Sequence, residues 1–133
     1  CREKKIDYEM LDSGDDTGAF DDGIIRSYLK ERIIDGKASF DGIYTSTDKL
    51  ALIVLDLLNH LHIRVPEDVQ LIGHDGLRQM NRGPYLVSSI AQPIEEMARA
   101  AVNTLLKLIR KEPAREMTML PVEFVEGGKT KVS

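Results

Sequence analysis

The hydrophobic positions of this 133-residue chain follow two different repeats, one typical of strands and one typical of helices. Short apolar or alternating runs predict strands, and longer stretches with apolar residues three and four positions apart predict helices. The predicted strands are at about 6–10, 41–45, 69–73, 86–91 and 119–125. The predicted helices are at about 20–34, 49–61 and 94–110. Strands that alternate with helices predict an α/β fold, with parallel strands connected by right-handed crossovers.

Turn-forming residues mark the ends of these elements. Asp35 and Gly36 end the first helix, and Pro66 separates the second helix from the strand that follows. Pro93 lies at the start of the third helix, and Pro113 lies beyond its end. Glycine permits the tight turn after a helix, and proline can start a helix but cannot continue one. These boundaries agree with a single domain, for which 133 residues are sufficient.

The helix at 49–61 is apolar on nearly all sides. Its apolar positions are Leu50, Ala51, Leu52, Ile53, Val54, Leu55, Leu57 and Leu58. One face can cover the sheet, and the opposite face must also be buried. Two explanations stay open: the helix lies at the centre of a larger domain, or its second face forms a subunit interface.

Asp75 is the best candidate for a binding residue. It follows an apolar strand and lies between Gly73 and Gly76, at the kind of strand end where open α/β sheets present groups to ligands. The alternative is a turn aspartate whose carboxylate binds backbone amides. Thr47 and Asp48 follow the preceding strand, so neighbouring strands would bring these side chains to one edge. We expect Asp48 to cap its helix and Thr47 to face the cleft.

Other kinds of functional site find little support in the residue spacing. His60 and His62 are two positions apart and cannot share a helix face, and no cysteine pair or HExxH pattern accompanies them. The residues around Lys129 are similar to the end of a P-loop, but Glu123 occupies the position of its first glycine. The acidic loop that begins at Asp12 has glycine instead of glutamate at its twelfth position. The GxSxG pattern of serine hydrolases is also missing. From these missing patterns together we expect no metal ion, no cofactor and no catalytic centre.

Composition and charge narrow the range of partners. The chain has 18 basic and 22 acidic residues, a net charge of −4, and 5% aromatic residues. Because the basic residues are scattered among acidic ones, we expect no nucleic-acid-binding surface on this chain. The single cysteine excludes an intrachain disulfide and fits a reducing compartment. No apolar run approaches the roughly 20 residues that cross a bilayer. No signal peptide is evident at the start of the chain. Because the chain does not begin with methionine, we expect it to be a fragment or a processed piece of a longer protein.

Five sequence blocks resemble the lactose/galactose-repressor-type family of transcription regulators. Residues 40–51, FDGIYTSTDKLA, resemble the family segment DAIFASNDxxA. Residues 63–69 carry the family's IRVPEDV, and residues 71–76, LIGHDG, are similar to VVGFDD. Residues 88–98, SSIAQPIEEMA, resemble TTIRQPxEEMG, and residues 120–123, LPVE, match the start of LPxEL. The blocks follow the family's order and spacing over most of the chain, so together they are specific.

The resemblance implies an effector-binding domain with a periplasmic-binding-protein-like fold, in which two α/β lobes enclose a small ligand, commonly a sugar. The chain would form mainly the carboxyl-terminal lobe, a parallel sheet flanked by helices, whereas the helix at about 94–110 would belong to the first lobe. The family's DNA-binding helix-turn-helix and most of the first lobe are not in these 133 residues. The apolar stripe of the helix at 94–110 therefore needs another partner, and we expect self-association, for example by exchange of that helix between chains.

The same resemblance assigns roles to individual residues. Asp75 is implied to bind ligand hydroxyls, and Thr47 stands where the family usually has asparagine. Gln92 lies on the crossover back to the first lobe and is implied to line the cleft. Phe20 is the nearest candidate for an aromatic residue that packs on the ligand. The family's dimer interface corresponds to the helix at 49–61 and the segment after Asp75. The residues implied at that interface are Leu50, Val54, Leu57, Leu58 and Met80.

Two functions from different classes are consistent with these features. The first is the effector-sensing and dimerisation region of a cytoplasmic transcriptional repressor, a homodimer or higher homo-oligomer. It would bind a sugar or sugar phosphate and contact operator DNA only through a domain outside this chain. The second is a periplasmic sugar-binding protein of a transport system, which shares the fold. The segments VPEDV and QPIEEMARAAV favour the first. We expect no enzymatic activity and no membrane association.

Overall fold

The fold is taken from a computed structural model, which describes residues 6–14, 20–76 and 87–128. The helices in this part of the chain are α1 (Asp22–Arg32), α2 (Asp48–His60) and α3 (Ile94–Ile109). The strands are β1 (Ile33–Ile34), β2 (Lys37–Ala38), β3 (Gly42–Tyr44), β4 (Gln70–Asp75), β5 (Ser88–Ala91) and β6 (Glu123–Val125). The predicted α/β class is confirmed, and all three predicted helices are present.

The centre of the fold is a four-stranded sheet in the order β3-β4-β5-β6. β3, β4 and β5 run parallel, as the sequence predicts, with Tyr44 of β3 opposite Ile72 of β4. β6 is antiparallel to β5, so the expectation of parallel strands is wrong for this last strand. Because Glu123 pairs with Ala91, α3 and the residues after it return the chain to the edge at which β5 ended. A strand that enters the sheet from that edge must run in the opposite direction.

α2 packs between the sheet and α1. Its first turn is capped by Thr47, whose Oγ1 accepts a hydrogen bond of 3.1 Å from the Leu50 amide. The expectation that Asp48 caps this helix is therefore wrong, since Asp48 is already its first helical residue and its carboxylate bonds to β5. On the other side of α2, Ile25 and Leu29 of α1 join the same buried cluster. α1 therefore covers the second face of α2, which explains why α2 is apolar on nearly all sides.

The helix residues expected at a dimer interface lie in the core of the chain. Leu50, Val54, Leu57 and Leu58 are only 9%, 5%, 3% and 0% exposed. The sheet and α1 cover them, so in this chain they stabilise the fold through hydrophobic burial. A subunit contact through α2 would first reach the partly exposed residues of the helix, and the interface role of these four stays a prediction. Met80 lies outside the described residues.

A small hairpin follows α1, where the sequence predicts two further helical residues. β1 and β2 pair in antiparallel fashion immediately after the helix ends. Asp35 and Gly36 form the turn between them, with φ of 51° and 71°. An Asp-Gly pair is the preferred sequence for a two-residue turn that needs positive φ at both positions. The residues that were expected only to stop the helix therefore also reverse the chain.

The strand predicted at residues 6–10 is not formed. Ile6, Tyr8 and Met10 are 58%, 63% and 86% exposed, and the segment pairs with no strand in the described part of the chain. A strand needs a neighbour for its backbone hydrogen bonds, and alternating apolar residues do not supply one. The segment instead contacts α1 through a 2.6 Å ion pair between Glu9 and Arg32.

α3 has the length that the sequence predicts but not the burial of α2. It has no buried residue, and its apolar side chains Val102 and Leu105 are 56% and 57% exposed. Pro93 at its start provides no side-chain cap. Among the described helices, none combines the length and the apolar character that crossing a bilayer requires.

Candidate functional site

The carboxyl ends of the three parallel strands meet at one edge of the sheet. β3 ends at Tyr44, shortly before Thr47, β4 ends at Asp75, and β5 ends at Ala91, next to Gln92. β4 is hydrogen-bonded to both β3 and β5, so the three strand ends are neighbours. Open α/β sheets bind ligands at such an edge. The structure therefore brings Thr47, Asp75 and Gln92, three residues singled out in the sequence, to the same edge.

Asp75 and Gln92 are in direct contact. Nε2 of Gln92 donates a hydrogen bond of 3.0 Å to Oδ1 of Asp75. The backbone amide of Gln92 donates a longer bond, of 3.3 Å, to the carbonyl of Asp75. An ionised carboxylate offers about four acceptor positions, so Asp75 keeps capacity for the hydroxyl groups of a ligand. Both residues are half-buried at the edge. The geometry thus gives a carboxylate that is oriented by a neighbour and still able to accept hydrogen bonds.

The backbone of Asp75 is unusual for a residue other than glycine. Its φ is 114°, and the φ of Gly76 is 71°. L-residues rarely adopt positive φ, and where they do so the conformation is often found at functional sites. A side chain at Gly76 would overlap Ala91, so this position requires glycine. The described hydrogen bond of the Asp75 carboxylate goes to a side-chain amide, in contrast to the backbone amides expected for a turn aspartate.

Thr47 and Phe20 have other contacts in the structure. Thr47 is half-buried, and its Oγ1 accepts the Leu50 amide, which leaves the hydroxyl proton able to donate. Phe20 packs against the hydrophobic core and forms an antiparallel bridge with Gly14. The ligand contacts expected of Thr47 and Phe20 stay predictions.

The contacts behind Asp75 were not predicted from the sequence, in which Ser89 was missed and Asp48 and Gly73 were given other roles. Ser89 of β5 donates a hydrogen bond of 2.5 Å to Oδ1 of Asp48 and accepts one of 3.0 Å from the amide of Gly76. Asp48 is 9% exposed and Ser89 is 0% exposed. A Cβ atom at Gly73 would overlap the Asp48 carboxylate, so this glycine makes room for it. The signal in the sequence is weak, because a serine in one strand and a glycine in another do not reveal that both meet Asp48.

Tyr44 of β3 and His74 of β4 form a polar pair. The hydroxyl of Tyr44 and Nδ1 of His74 are 2.6 Å apart, and the two rings meet edge to face. His74 had no assigned role in the sequence, and the pair links β3 to β4. Within residues 6–14, 20–76 and 87–128, no three His, Cys, Asp or Glu side chains lie close enough together to hold a metal ion.

A family model and curated proteins match this chain. Residues 1–130 match the model of the periplasmic binding protein-like domain. The chain is 34% identical to the sucrose operon repressor of Streptococcus mutans over 105 residues, which is 78% of this chain and 32% of that protein. It is 31% identical to the ribose operon repressor of Bacillus subtilis over 130 residues, which is 97% of this chain and 38% of that protein. The chain therefore spans 32% to 38% of the length of these two relatives.

Solved structures of similar proteins share the fold. A LacI family transcriptional regulator from Arthrobacter sp. FB24, in complex with lactose, matches with a TM-score of 0.66 and 29% identity, over 83% of this chain and 40% of that one. A LacI family regulator from Enterococcus faecium with bound ribose matches with a TM-score of 0.64 and 27% identity, over 80% of this chain and 38% of that one. The predicted fold and the resemblance to lactose/galactose-repressor-type regulators are confirmed.

Proposed function

The chain belongs to the periplasmic-binding-protein-like family, and from that premise we propose that it forms the carboxyl-terminal lobe of the effector-binding domain of a sugar-responsive transcriptional regulator. The effector is a sugar or sugar phosphate, and Asp75 binds its hydroxyl groups. The observation that carries the proposal is the Asp75 carboxylate, held by Gln92 at the carboxyl edge of the parallel strands. A carboxylate at such an edge accepts strong hydrogen bonds from hydroxyl donors.

The names of the relatives support a sugar as the ligand class. Two of them are repressors of sucrose and ribose operons, and two similar structures contain lactose or ribose. The same names support a regulator over the alternative, a periplasmic sugar-binding protein of a transport system. They describe repressors, which supports a binding role without catalysis for this chain.

The regulatory step needs two states with different affinity for the sugar. In this proposal the ligand binds between this lobe and a first lobe, and it stabilises the closed arrangement of the two. Because a ligand shifts a conformational equilibrium only through its differential affinity, closure changes the fraction of protein that is competent to bind DNA. Operator DNA is contacted by a helix-turn-helix domain outside the 133 residues.

We assign α3 to the first lobe and the dimer contact to the region around α2. The exposed apolar side chains of α3 support this assignment, since an apolar stripe of that size is normally covered. The contact we propose runs through the partly exposed α2 residues Leu52 and Ile53. The interface role of Leu50, Val54, Leu57, Leu58 and Met80 stays a prediction from the sequence. The whole protein is then a cytoplasmic homodimer or higher homo-oligomer.

Calorimetry of the intact protein with ribose, sucrose, lactose, xylose and their phosphates tests the proposal. We expect one of them to bind, and we expect Asp75→Ala to weaken that binding by about ten- to a hundredfold, since a hydrogen bond to a charged group contributes about 1.5–3 kcal/mol. The matched control is Asp56→Ala, which removes a carboxylate from the surface of α2, where its side chain is 71% exposed. An unchanged affinity of the Asp75→Ala protein would refute the role of Asp75.

A further inference from the structure

We propose that Asp48 and Ser89 are positioning residues for Asp75, because they form a buried hydrogen-bond chain that holds the end of β4 in its binding conformation. The consequence for ligand affinity rests on the proposed function. The consequence for the backbone at Gly76 does not, so the two can fail separately.

The end of β4 needs to be held by its surroundings. Asp75 and Gly76 both have positive φ, at 114° and 71°. For an aspartate this conformation is unfavourable and persists only where neighbouring contacts enforce it. A relaxed backbone at Asp75 would point the carboxylate elsewhere, so whatever fixes this turn also fixes the binding group.

The hydrogen bonds behind the turn have one possible direction. A backbone amide can only donate, so the Ser89 oxygen accepts from Gly76, and the single proton of its hydroxyl points to Oδ1 of Asp48, at 2.5 Å. The oxygen of the same hydroxyl then accepts the proton of the Gly76 amide, at 3.0 Å. Hydrogen bonds in such a chain polarise and strengthen one another in a buried setting. Asp48 therefore acts on Gly76 through Ser89.

The Asp48 end of this series of hydrogen bonds lies in the core. Asp48 is the first residue of α2, and α2 packs against β4. The absence of a side chain at Gly73 lets the Asp48 carboxylate approach the backbone of β4 closely. Because Ser89 is fully buried and Asp48 nearly so, water does not readily replace either partner. The position of α2 is thus transmitted to the turn that carries Asp75.

Asp75 is then held from two sides. Gln92 contacts its carboxylate and its carbonyl, and Ser89 fixes the amide of the following residue. Without the Ser89 hydroxyl the turn loses this hydrogen-bonded link to α2. We expect the carboxylate to leave its binding orientation for part of the time, so that the sugar binds less tightly.

Ser88 provides a matched control in the same strand. It is also 0% exposed, and its Oγ accepts a hydrogen bond of 2.7 Å from the amide of Gly127. In β5 the side chains of Ser88 and Ser89 point to opposite faces of the sheet. Ser88→Ala therefore removes an equally buried hydroxyl and leaves the hydrogen bonds from Asp48 through Ser89 to Gly76 in place.

The experiment measures amide hydrogen exchange by NMR and sugar affinity by calorimetry, on the intact protein. For Ser89→Ala we expect exchange at Gly76 to accelerate by at least about tenfold, as expected when one hydrogen bond is lost. The affinity for the sugar bound by the native protein is expected to fall by a similar factor. Ser88→Ala is expected to accelerate exchange at Gly127 and to leave Gly76 and the affinity unchanged. Ser89→Thr keeps the hydroxyl and introduces the threonine of the related TTIRQP block. We expect this variant to have the native exchange rate at Gly76 and the native sugar affinity.

Each outcome decides between the two claims. Native exchange at Gly76 in Ser89→Ala, or equal effects of the two alanine variants, would overturn the positioning role. If the alanine variant does not fold, Ser89→Cys fills the same volume with a weaker donor and acceptor, and the same acceleration at Gly76 is expected. If none of the tested sugars binds the native protein, the proposed function fails, and exchange at Gly76 still decides whether the Ser89 hydroxyl holds this turn.

Discussion

α2 and α3 are both rich in apolar residues, but α2 is largely buried and α3 is largely exposed. α2 has seven buried residues, whereas α3 has none. The difference lies in what the chain places opposite each helix: the sheet and α1 enclose α2, and no described helix or strand covers α3 to a similar extent. The apolar content of a helix therefore predicts that one of its faces is buried against a packing partner. Whether that partner belongs to the same chain depends on the rest of the fold.

The first turn of α2 is also held more firmly than the first turn of α3. Thr47 caps α2 through its hydroxyl, and the following carboxylate of Asp48 is tied to Ser89 in the sheet. α3 begins at Pro93 without a side-chain cap. α2 is thus fixed both along its face and at its end, and it can serve as the rigid support of the candidate site. Among residues 6–14, 20–76 and 87–128, no comparable attachment of α3 is found.

The largest expected effect comes from truncating one leucine in each helix. Leu58 of α2 is 0% exposed, so Leu58→Ala should lower the free energy of unfolding by about 2–5 kcal/mol, the range for a buried leucine. Leu105 of α3 is 57% exposed in the single chain, so Leu105→Ala should change the free energy of unfolding of the monomeric 133-residue chain by less than about 0.5 kcal/mol. Self-association through α3 would make this loss larger. Urea unfolding of the two variants measures both values. Similar losses would contradict the contrast between the helices.

The same pair also tests where α3 belongs. If the first lobe covers α3, Leu105→Ala becomes costly in the intact protein although it is neutral in the 133-residue chain. A neutral result in both would argue against the assignment of α3 to the first lobe.

A smaller effect is expected at the close contact between α2 and β4. Gly73→Ala puts a methyl group against the Asp48 carboxylate, and overpacking of this kind costs about 1–3 kcal/mol. Gly42→Ala is the control, since its new Cβ would lie at an ordinary 3.5 Å from the carbonyl oxygen of Gln70. Urea unfolding should separate the two variants. A Gly73→Ala protein as stable as the native one would show that α2 is not held at this point.

Local signals in the sequence were enough for the helices and for the position of Asp75. The apolar spacing predicts α3, and Gly73 and Gly76 around an apolar strand end predict a ligand-facing carboxylate between them. Residues 6–10 have the same alternation as a true strand, but pairing depends on a neighbour that the pattern does not reveal. The direction of β6 likewise depends on the path that the chain takes after α3.

The support behind Asp75 could not be predicted because its parts are distant in the chain. Asp48 and Ser89 are 41 positions apart, and only the order of β3, β4 and β5 brings them together. Asp48 was expected to cap α2, but Thr47 is also a good capping residue, and a one-residue shift of the helix start decides which of the two caps. Long-range contacts of this kind are determined by the assembled sheet.

A crystal structure of the intact protein with the sugar that calorimetry identifies would show directly whether Asp75 binds the sugar. We predict that the Asp75 carboxylate accepts a hydrogen bond from a sugar hydroxyl, at about 2.5–3.0 Å. We also predict that Gln92 keeps its contact with Asp75 and that the sugar lies at the carboxyl edge of β3, β4 and β5. A sugar bound elsewhere, with Asp75 facing water or protein groups only, would show that Asp75 is not the binding residue.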